Sequence, residues 1–244
     1  MNAAVGQEHW DDVYRDLPLG ADPGEIEFKD LFDRHLPRGG DCFEVGCYPG
    51  RYLEYLGRRF GYVVHGIDAT PFVRDRLPRH LAARGVCVGT LRHGDFMAFS
   101  DAARYDVVCS FGFVEHFFDV EEVIGRHVDL VRPGGVLVLA APNFRGLQYV
   151  LHRILDAENL SRHVTAAMSL ARWARALEGR GMSLLHHGYY RTADFWIGPG
   201  RHGPLTLRAA ALVGRLARGL DRRVRRPNRW LSPYLVSISR RRGA

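Results

Sequence analysis

The stretch FEVGCYPG, residues 43–50, decides the fold of this chain. Residues typical of a buried strand lead to Gly46, and Gly50 then precedes the helical pattern RYLEYLGRRF. Glycines at a strand-to-helix turn let the backbone come close to a ligand and point N–H groups at it. The stretch therefore predicts a ligand-binding turn. Its ligand must be compatible with the carboxylate of Glu44, which lies inside the strand.

Similar strand and helix patterns follow along the chain. Five short apolar runs alternate with longer helical patterns, as a parallel sheet with crossover helices requires. The runs are DCFEVG (41–46), YVVHGID (62–68), VCVGTLRHGD (86–95), YDVVCSFGF (105–113) and GVLVLAAP (135–142). Pro133 and two glycines are expected to end the helix before the fifth strand. Together with MSLLHHGYY (182–190) and PYLVSISR (233–240), the runs predict an α/β fold with a doubly wound, seven-stranded, mostly parallel sheet.

The length of 244 residues suits one α/β domain with embellishments. Residues 1–40, with Trp10, Tyr14 and Pro18, are expected to form an N-terminal helical lid. Residues 41–190 form the predicted core, and 233–240 the last strand. Residues 191–232, between strands six and seven, are too long for a hairpin loop and predict a helical insertion.

The basic residues are concentrated in the last fifth of the chain. Residues 201–244 contain twelve arginines and one acid, Asp221, a net charge of +11; the whole chain carries +7, so residues 1–200 carry −4. Within 205–226 leucines and valines fall on one helical face and arginines on another. We expect this helix to dock its apolar face on the sheet. A basic amphipathic helix can also lie on an anionic membrane or receive an acidic partner, and that alternative stays open.

Composition favours a soluble globular protein, since 46% of the residues are hydrophobic and 25% charged. No apolar run is long enough to span a membrane, and the first residues do not resemble a secretion signal, so a cytoplasmic protein is expected. The four cysteines form no C-x-x-C pair and lie near no histidine at metal-ligand spacing. No metal site is therefore expected.

Asp68 ends the second strand, where an acid can accept hydrogen bonds from ribose hydroxyls. Gly46 and Gly50 do not have the G-x-G-x-x-G spacing that places a pyrophosphate on a helix N-terminus. Glu44 also suits a cationic ligand better than a phosphate. A nicotinamide-dependent oxidoreductase is therefore the weaker interpretation.

Five motifs, EVGCYPG, HGID, HGDF, SFGFVEHFFD and VRPGG, resemble in order and spacing those of class I S-adenosylmethionine-dependent methyltransferases. The resemblance covers roughly residues 41–190 and implies S-adenosylmethionine as cofactor. The residues that it places around the cofactor are Glu44, Gly46, Cys47 and Gly50 in the turn, Asp68 at the ribose, Asp95 and Phe96 at the adenine, and Ser110 and Phe111 beside the cofactor. Tyr48 stands where the family usually has a small residue, which implies a different loop shape or a ring that covers the cofactor.

The resemblance places the acceptor near Glu115 and His116, after strand four. A base helps methyl transfer to a hydroxyl acceptor, whereas an amine or carboxylate acceptor does not require one. His116 is the first choice for that base, and His163 is a weaker one. His186 and His187 are further candidates of the same rank, and Tyr189 and Tyr190 could line the pocket.

The substrate class follows from motifs that are missing. The N-P-P-Y sequence of enzymes that methylate base amines is absent, as is the Pro-Cys nucleophile of cytosine C5 enzymes, so nucleic acid is an unlikely substrate. Similarity to small-molecule and saccharide methyltransferases of biosynthetic clusters favours O- or N-methylation of a biosynthetic intermediate. The acceptor is expected to be negatively charged or carrier-linked, with peripheral membrane contact through 205–226 as an option and the oligomeric state left open. The alternatives are a non-catalytic binding module with the same fold and a nucleic-acid methyltransferase.

Overall fold

The computed structural model describes residues 6–15, 19, 26–198 and 202–243. Its strands within these ranges are β1 (Asp41–Val45), β2 (Val63–Asp68), β3 (Val88–His93), β4 (Tyr105–Phe111), β5 (Val131–Pro142), β6 (Met182–Tyr190) and β7 (Tyr234–Arg241). Its helices there are α1 (Gln7–Arg15), α2 (Lys29–His35), α3 (Arg51–Phe60), α4 (Arg76–Ala83), α5 (Val120–Leu130), α6 (Leu147–Leu155), α7 (Ala157–Ser161), α8 (Leu170–Glu178) and α9 (Pro204–Arg223).

The strands form one sheet in the order β3-β2-β1-β4-β5-β7-β6, seven strands in the described residues. Strand β7 runs antiparallel to β5 and β6, and the other neighbours pair in parallel. The predicted doubly wound, mostly parallel α/β sheet is confirmed. The carboxyl ends of β1, β2 and β4 lie along one edge, and in such sheets the ligand binds at that edge.

Helices cover both faces of the sheet because successive side chains of a strand point to opposite sides. On one face, Phe43 and Val45 of β1 pack in a cluster with residues of α5 and α8, including the fully buried Trp173. On the other face, Cys42 packs in a cluster with residues of α2, α3 and α4, including Phe32. Strands β1 and β4 are buried on both sides, which explains their short, continuous apolar runs in the sequence.

One predicted boundary is wrong. The stretch VRPGG does not form a turn after α5, because the helix ends at Leu130 and β5 begins at Val131. Tyr105 pairs with Val131, but Val107 pairs with Val136, so the intervening residues of β5 form a bulge. Gly134 has a positive φ of 79° in this bulge, and Arg132 makes an ion pair with Asp106 of β4. The proline and glycines therefore mark a β-bulge rather than a helix end.

The predicted basic helix exists as α9, but the expected docking of its apolar face is wrong. The fully buried positions of α9 are Ala210 and Gly214, whereas Leu205, Leu212 and Leu216 are exposed. A Cβ added at Gly214 would lie 2.7 Å from the carbonyl oxygen of Phe195. Small residues thus let α9 pack closely on the 195 segment, and the leucines face outward together with the arginines.

Parts of the predicted lid and insertion, including Pro18 and residues 199–201, lie outside the described residues. Within the described residues, none of the helices combines the length and the apolar character needed to cross a bilayer. Of the predicted lid, α1 lies over the ligand edge of the sheet, as its contacts below show, while Leu31 and Phe32 of α2 belong to the core.

Candidate active site

The turn after β1 is closed tightly against β2. The N–H groups of Gly46 and Cys47 both donate to the carbonyl oxygen of Ile67, at 2.9 and 3.3 Å. Gly46 and Gly50 have φ values of 70° and 88°, a left-handed conformation that favours glycine. A Cβ at Gly46 would lie 2.9 Å from the ring of Phe113, so glycine is required there by space as well.

Asp68 connects this turn to the end of β2. Its carboxylate accepts hydrogen bonds from the N–H groups of Tyr48 and Thr70, each at 2.9 Å. Burial raises the pKa of Asp68 to about 6, against an opposing effect of these two bonds. The carboxylate is thus fixed at the edge of the sheet, at the position where the resemblance places the ribose.

Glu44 lies buried behind the turn. Its Oε2 atom has no hydrogen-bond partner among the described residues. Burial raises the pKa of Glu44 well above its ordinary value, with further contributions from Cys42 and Asp68. A buried carboxylate is costly unless a donor or cation meets it. The residues of this turn therefore fit a ligand with a cationic group, such as the amino and sulfonium groups of S-adenosylmethionine.

The thiol of Cys47 is buried, and burial raises its pKa well above the ordinary range. A Cβ added at Gly66 of β2 would lie 2.7 Å from the Cys47 Sγ atom, so the thiol fills the space that this glycine leaves. Tyr48 is also buried, and its ring packs on Phe72 with the centroids 5.9 Å apart. These two side chains shape the turn from within.

Asp95 and Phe96 follow β3, as predicted for the adenine end. Asp95 caps a short 3₁₀ turn by accepting a hydrogen bond from the Met97 N–H at 2.8 Å. It also lines a cavity of about 440 Å³ together with Ile67 and Arg92. Phe96 points elsewhere, into the core beside Phe113 and His127. The structure therefore brings Asp95 to a cavity but makes Phe96 a packing residue.

Helix α1 covers the edge between the turn and the end of β4. The ring of Tyr14 packs on the ring of Tyr48, with the centroids 5.1 Å apart. Burial raises the pKa of the Tyr14 hydroxyl far above its ordinary value, and the nearby Asp68, Cys47 and Glu44 raise it further. Trp10 packs edge-on against His116, with the centroids 5.1 Å apart. One helix thus contacts both the predicted cofactor residues and the predicted acceptor residues.

A cavity of about 1140 Å³ opens beside the end of β4, and we call it the acceptor cavity. Phe111 lines it and stacks on Tyr52 at 3.7 Å, so Phe111 faces this cavity. Ser110, which was predicted to lie beside the cofactor, is buried in the sheet, and its hydroxyl has no partner in the described part of the chain. Further walls of the cavity are aromatic: Trp10, Phe144, Trp196 and Tyr234.

Three predicted polar residues meet in the wall of this cavity. They are Glu115, His116 and His163, which we call the acceptor cluster, and each has a donor atom within 4.8 Å of the other two. The two imidazole rings lie 4.7 Å apart, centroid to centroid. Burial, followed by the neighbouring His116, lowers the pKa of His163 to about 3, and burial raises the pKa of Glu115 to about 8. The cluster combines neutral imidazole with a buried carboxyl group, which suits proton transfer or metal binding.

The other predicted histidines lie outside the acceptor cavity. The ring of His187 sits between the Ser237 hydroxyl and the Leu170 carbonyl, at 3.1 and 2.9 Å, in a structural position. His186 lies near His35, with the ring centroids 6.3 Å apart. Tyr190 does line the cavity and donates to Asp30 at 2.7 Å, while Tyr189 packs on the core.

The sequence did not point to a second group of cavity residues. Glu27 accepts hydrogen bonds from Arg51 and Tyr52 at 2.8 and 3.2 Å, and all three line the cavity. Arg218 of α9 reaches the same cavity and pairs with Asp194 at 3.2 Å. Arg51 directly follows Gly50, a signal that could have been used, whereas nothing in the sequence marks Glu27.

Comparison with known proteins is consistent with this geometry. A family model described as a methyltransferase domain matches residues 26–187. A ubiquinone biosynthesis O-methyltransferase of Coxiella burnetii is 24% identical over 154 residues, which cover 63% of this chain and 64% of that protein. The protein of the same name from Azorhizobium caulinodans is 30% identical over 171 residues, covering 65% of this chain and 66% of that protein.

Solved structures show the same fold over the whole chain. A methyltransferase from Thiobacillus denitrificans, solved in complex with S-adenosyl-L-homocysteine, superimposes with a TM-score of 0.61 at 17% identity. The alignment covers 98% of this chain and 99% of that one. At this level of identity the similarity establishes the fold. The matched segment spans slightly less than two thirds of the Coxiella relative, so its named activity supports a proposal here.

Proposed function

The chain belongs to the methyltransferase domain family, and on that premise we propose that it methylates a hydroxyl oxygen of a small molecule held in the acceptor cavity. S-adenosylmethionine is its cofactor and supplies an electrophilic methyl group when bound. The turn with Gly46 and Gly50, the carboxylate of Asp68 and the Oε2 of Glu44, which has no partner among the described residues, would hold it. The proposal for oxygen draws support from the two O-methyltransferase relatives.

The acceptor cluster is the observation that carries this proposal. A hydroxyl group is a weak nucleophile until its proton is removed, whereas a neutral amine needs no such help. The Nδ1 atom of His163 faces the carbonyl oxygen of Asn159 at 2.7 Å. A carbonyl only accepts, so the proton is on Nδ1 and the neutral ring keeps its lone pair on Nε2. Burial makes His163 a weak base, whereas the Nδ1 atom of His116 donates in the same way to the carbonyl oxygen of Arg162 at 2.9 Å. His116 is therefore the residue whose Nε2 would take the proton from a hydroxyl held in the cavity.

The cavity walls favour an acceptor with a flat apolar part. Phe111 and Tyr52 form one stacked wall, and Trp196 stacks on Tyr234 at 5.0 Å in another. Aromatic walls bind planar rings through stacking and burial of apolar surface. Trp10 covers the acceptor cluster from the side of α1, which would keep water away from the reacting oxygen. We therefore propose a hydroxylated ring as the acceptor class.

We further propose that the acceptor is lipid-linked and reaches the cavity from an anionic membrane surface. Helices α6 and α9 pack side by side, and both expose apolar side chains. The exposed residues are Leu147, Val150 and Ile154 of α6 and Leu205, Leu212, Leu216 and Leu220 of α9, which we call the outer surface. Arginines of α9 accompany these leucines, a combination typical of helices that lie in a membrane interface. Arg218 extends from α9 to the cavity itself.

The experiment that tests this function compares matched acceptors. The protein is incubated with S-adenosylmethionine and pairs of ring compounds that differ only in a hydroxyl or an amino group, and mass spectrometry follows the addition of one methyl group. We expect methylation of the hydroxyl member. His116→Ala should lower turnover by about 10²-fold or more with the affinity for S-adenosylhomocysteine unchanged. Preferential methylation of the amine, with no effect of His116→Ala, would point instead to an N-methyltransferase that needs no base.

A non-catalytic module is an alternative from another class. It would bind S-adenosylhomocysteine but transfer no methyl group to any acceptor of either series. The buried Oε2 of Glu115 in the cavity wall has no partner in the part of the chain that the structure describes. This favours an active protein, because such groups are costly and are concentrated at functional sites.

A further inference from the structure

We propose that Glu115, His116 and His163 bind a divalent transition-metal ion in the wall of the acceptor cavity. Two histidines and one glutamate form a ligand set found in catalytic zinc sites, where the fourth position stays open for water or substrate. All three residues line the acceptor cavity, so an ion bound to them would face the acceptor. No metal site was predicted from the sequence, because His163 is far along the chain from Glu115 and His116 and the three do not form a short-spacing ligand motif.

The fold joins the ligands from two segments. Glu115 and His116 lie in the 3₁₀ turn Val114–His116, directly after β4. His163 lies in the loop after α7. The N–H of Val164 donates to the carbonyl oxygen of Glu115 at 2.8 Å and ties this loop to the turn. The backbone therefore holds the ligands together independently of any ion.

The imidazole rings are oriented as metal ligands usually are. The Nδ1 atom of His116 lies 2.9 Å from the carbonyl oxygen of Arg162, and that of His163 lies 2.7 Å from the carbonyl oxygen of Asn159. Because carbonyl oxygens only accept, both Nδ1 atoms must donate, and Nε2 is the nitrogen that can bind a metal in each neutral ring. Metal-binding histidines typically donate their other N–H in this way, which fixes the tautomer and the ring orientation.

Glu115 supplies the negative charge of the site. Its side chain is 1% exposed, and Oε2 has no hydrogen-bond partner in the described residues. Arg162, which also lines the cavity, is engaged in an ion pair with Glu158. A cation would satisfy the buried carboxylate, and no other group described around Oε2 does so.

A second group of acid and histidine residues shows the contrast. Asp156 lies between His152 and His202, at 3.4 and 3.7 Å. Its carboxylate also accepts hydrogen bonds from the Gly198 N–H and the Asn159 side chain, at 2.7 and 2.9 Å. This carboxylate is therefore already satisfied by donors of the chain, unlike that of Glu115. The comparison separates a structural hydrogen-bond network from a carboxylate whose Oε2 atom has no donor in the described part of the chain.

The ligand atoms need only a small adjustment. Atoms bound to one zinc ion at about 2.0–2.2 Å in tetrahedral geometry would be roughly 3.3–3.6 Å apart. Donor atoms of the cluster lie within 4.8 Å of one another, so closing by at most about 1.2–1.5 Å would complete the site.

The role of the ion rests on the proposed function. An ion at the acceptor cluster would bind the hydroxyl oxygen of the acceptor and make its O–H group more acidic, as metal ions do for bound water. The proton would leave to solvent and the electron pair would stay on the oxygen. Under this proposal His116 and His163 act as ligands, and the ion takes over the activation of the hydroxyl group.

The test uses Zn²⁺ alone on the untagged, chelator-treated full chain. Competition with a zinc-binding dye should give one site per chain, and Zn²⁺ should raise the thermal midpoint of unfolding. Glu115→Gln and His163→Asn should each weaken Zn²⁺ binding by at least tenfold. The control His35→Gln removes a histidine that does not line the cavity and should leave binding unchanged. Glu115→Gln is nearly isosteric, so its unfolding midpoint without zinc shows whether a loss of binding reflects a loss of fold.

The outcomes separate this inference from the proposed function. If the wild type binds Zn²⁺ no better than the Glu115→Gln, His163→Asn double variant, the metal site does not exist, and methylation of a hydroxyl acceptor in the presence of chelator would still support the function. If the cluster binds Zn²⁺ and no hydroxyl acceptor is methylated, the metal site stands and the proposed function fails. If His35→Gln weakens Zn²⁺ binding as much as Glu115→Gln and His163→Asn do, the zinc binds to histidines outside the cluster and the proposal is overturned.

Discussion

The phenol ring of Tyr14 lies against the ring of Tyr48, with the two centroids 5.1 Å apart, so that α1 closes on the turn after β1. The same helix places Trp10 against His116. A movement of α1 would therefore open the predicted cofactor site and the acceptor cluster together. This coupling makes α1 the first element to test.

Tyr14→Ala should weaken binding of S-adenosylhomocysteine by about tenfold, because it removes a large buried ring from the cover of the site. Calorimetric titration of the wild type and the variant measures the change. Arg15→Ala, at an exposed position of the same helix, is the control and should bind as the wild type does. Tighter binding by Tyr14→Ala would mean that the ring competes with the cofactor instead of covering it.

Binding of S-adenosylhomocysteine should depend on pH through Asp68. Its pKa of about 6 lies above the ordinary value of 3.8, so in the folded protein the carboxylate is mostly ionised only above pH 6. The ionised form is the better acceptor for ribose hydroxyls. Affinity should therefore fall by about tenfold between pH 8 and pH 5.

The Asp68→Asn variant provides the control for this pH dependence. It retains an acceptor oxygen for one of the two local N–H groups, those of Tyr48 and Thr70, and cannot ionise. We expect weaker binding in this variant and no step near pH 6. An unchanged step would assign the titration to another group of the site.

Two glycines of α9 should respond to the same substitution in opposite ways. Gly219→Ala should raise the free energy of unfolding by about 0.8–1 kcal/mol, because its added Cβ meets nothing within 4 Å and alanine favours the helix. Gly214→Ala should lower it by about 1–3 kcal/mol, because its Cβ would lie 2.7 Å from the Phe195 carbonyl oxygen. Thermal and denaturant unfolding measure both. Equal effects would show that α9 does not dock through Gly214.

The outer surface should bind anionic vesicles and not neutral ones. Flotation at 0.1 M salt should recover the protein with phosphatidylglycerol-containing vesicles, and 1 M salt should release it, since the screening length falls from about 10 Å to about 3 Å. Replacing Arg215, Arg222 and Arg225 with glutamine should abolish recovery. Arg218 stays in place because it pairs with Asp194 beside the cavity.

The control for this measurement removes the same charge elsewhere. Arg74, Arg79 and Arg104 are exposed and lie outside α9, and their replacement by glutamine should leave flotation unchanged. An equal loss in both triple variants would indicate a general charge effect. If recovery by flotation does not depend on lipid charge or on salt, the arginines of residues 205–226 form a solvated face and do not bind the membrane.

The local patterns of the sequence predicted the core of the fold well. Strand β6 spans Met182–Tyr190 as expected, because its limits are set by Gly181 and by the apolar run itself. The position of β5 was less predictable, since a proline and two glycines usually end an element and here form a bulge. The orientation of α9 could not be read from its leucines, because close packing through Gly214 decided which face is buried.

The site was predictable only in its parts. The turn and Asp68 were identified because each lies at the end of a strand, where the fold itself places ligand contacts. Asp95 was identified through the resemblance to the methyltransferase motifs. His116 and His163 were each named as single candidates, but their meeting depends on the Val164–Glu115 hydrogen bond between distant segments. No spacing rule along the chain reveals such a contact.

The measurement that tests the account most directly is calorimetric titration of the full chain with S-adenosylhomocysteine and, separately, with NAD. We predict one S-adenosylhomocysteine per chain, with a dissociation constant on the order of 1–100 µM, and no binding of NAD. Absence of S-adenosylhomocysteine binding by a folded chain, or binding of NAD in its place, would contradict the assignment of the turn, Asp68 and Glu44 to this cofactor.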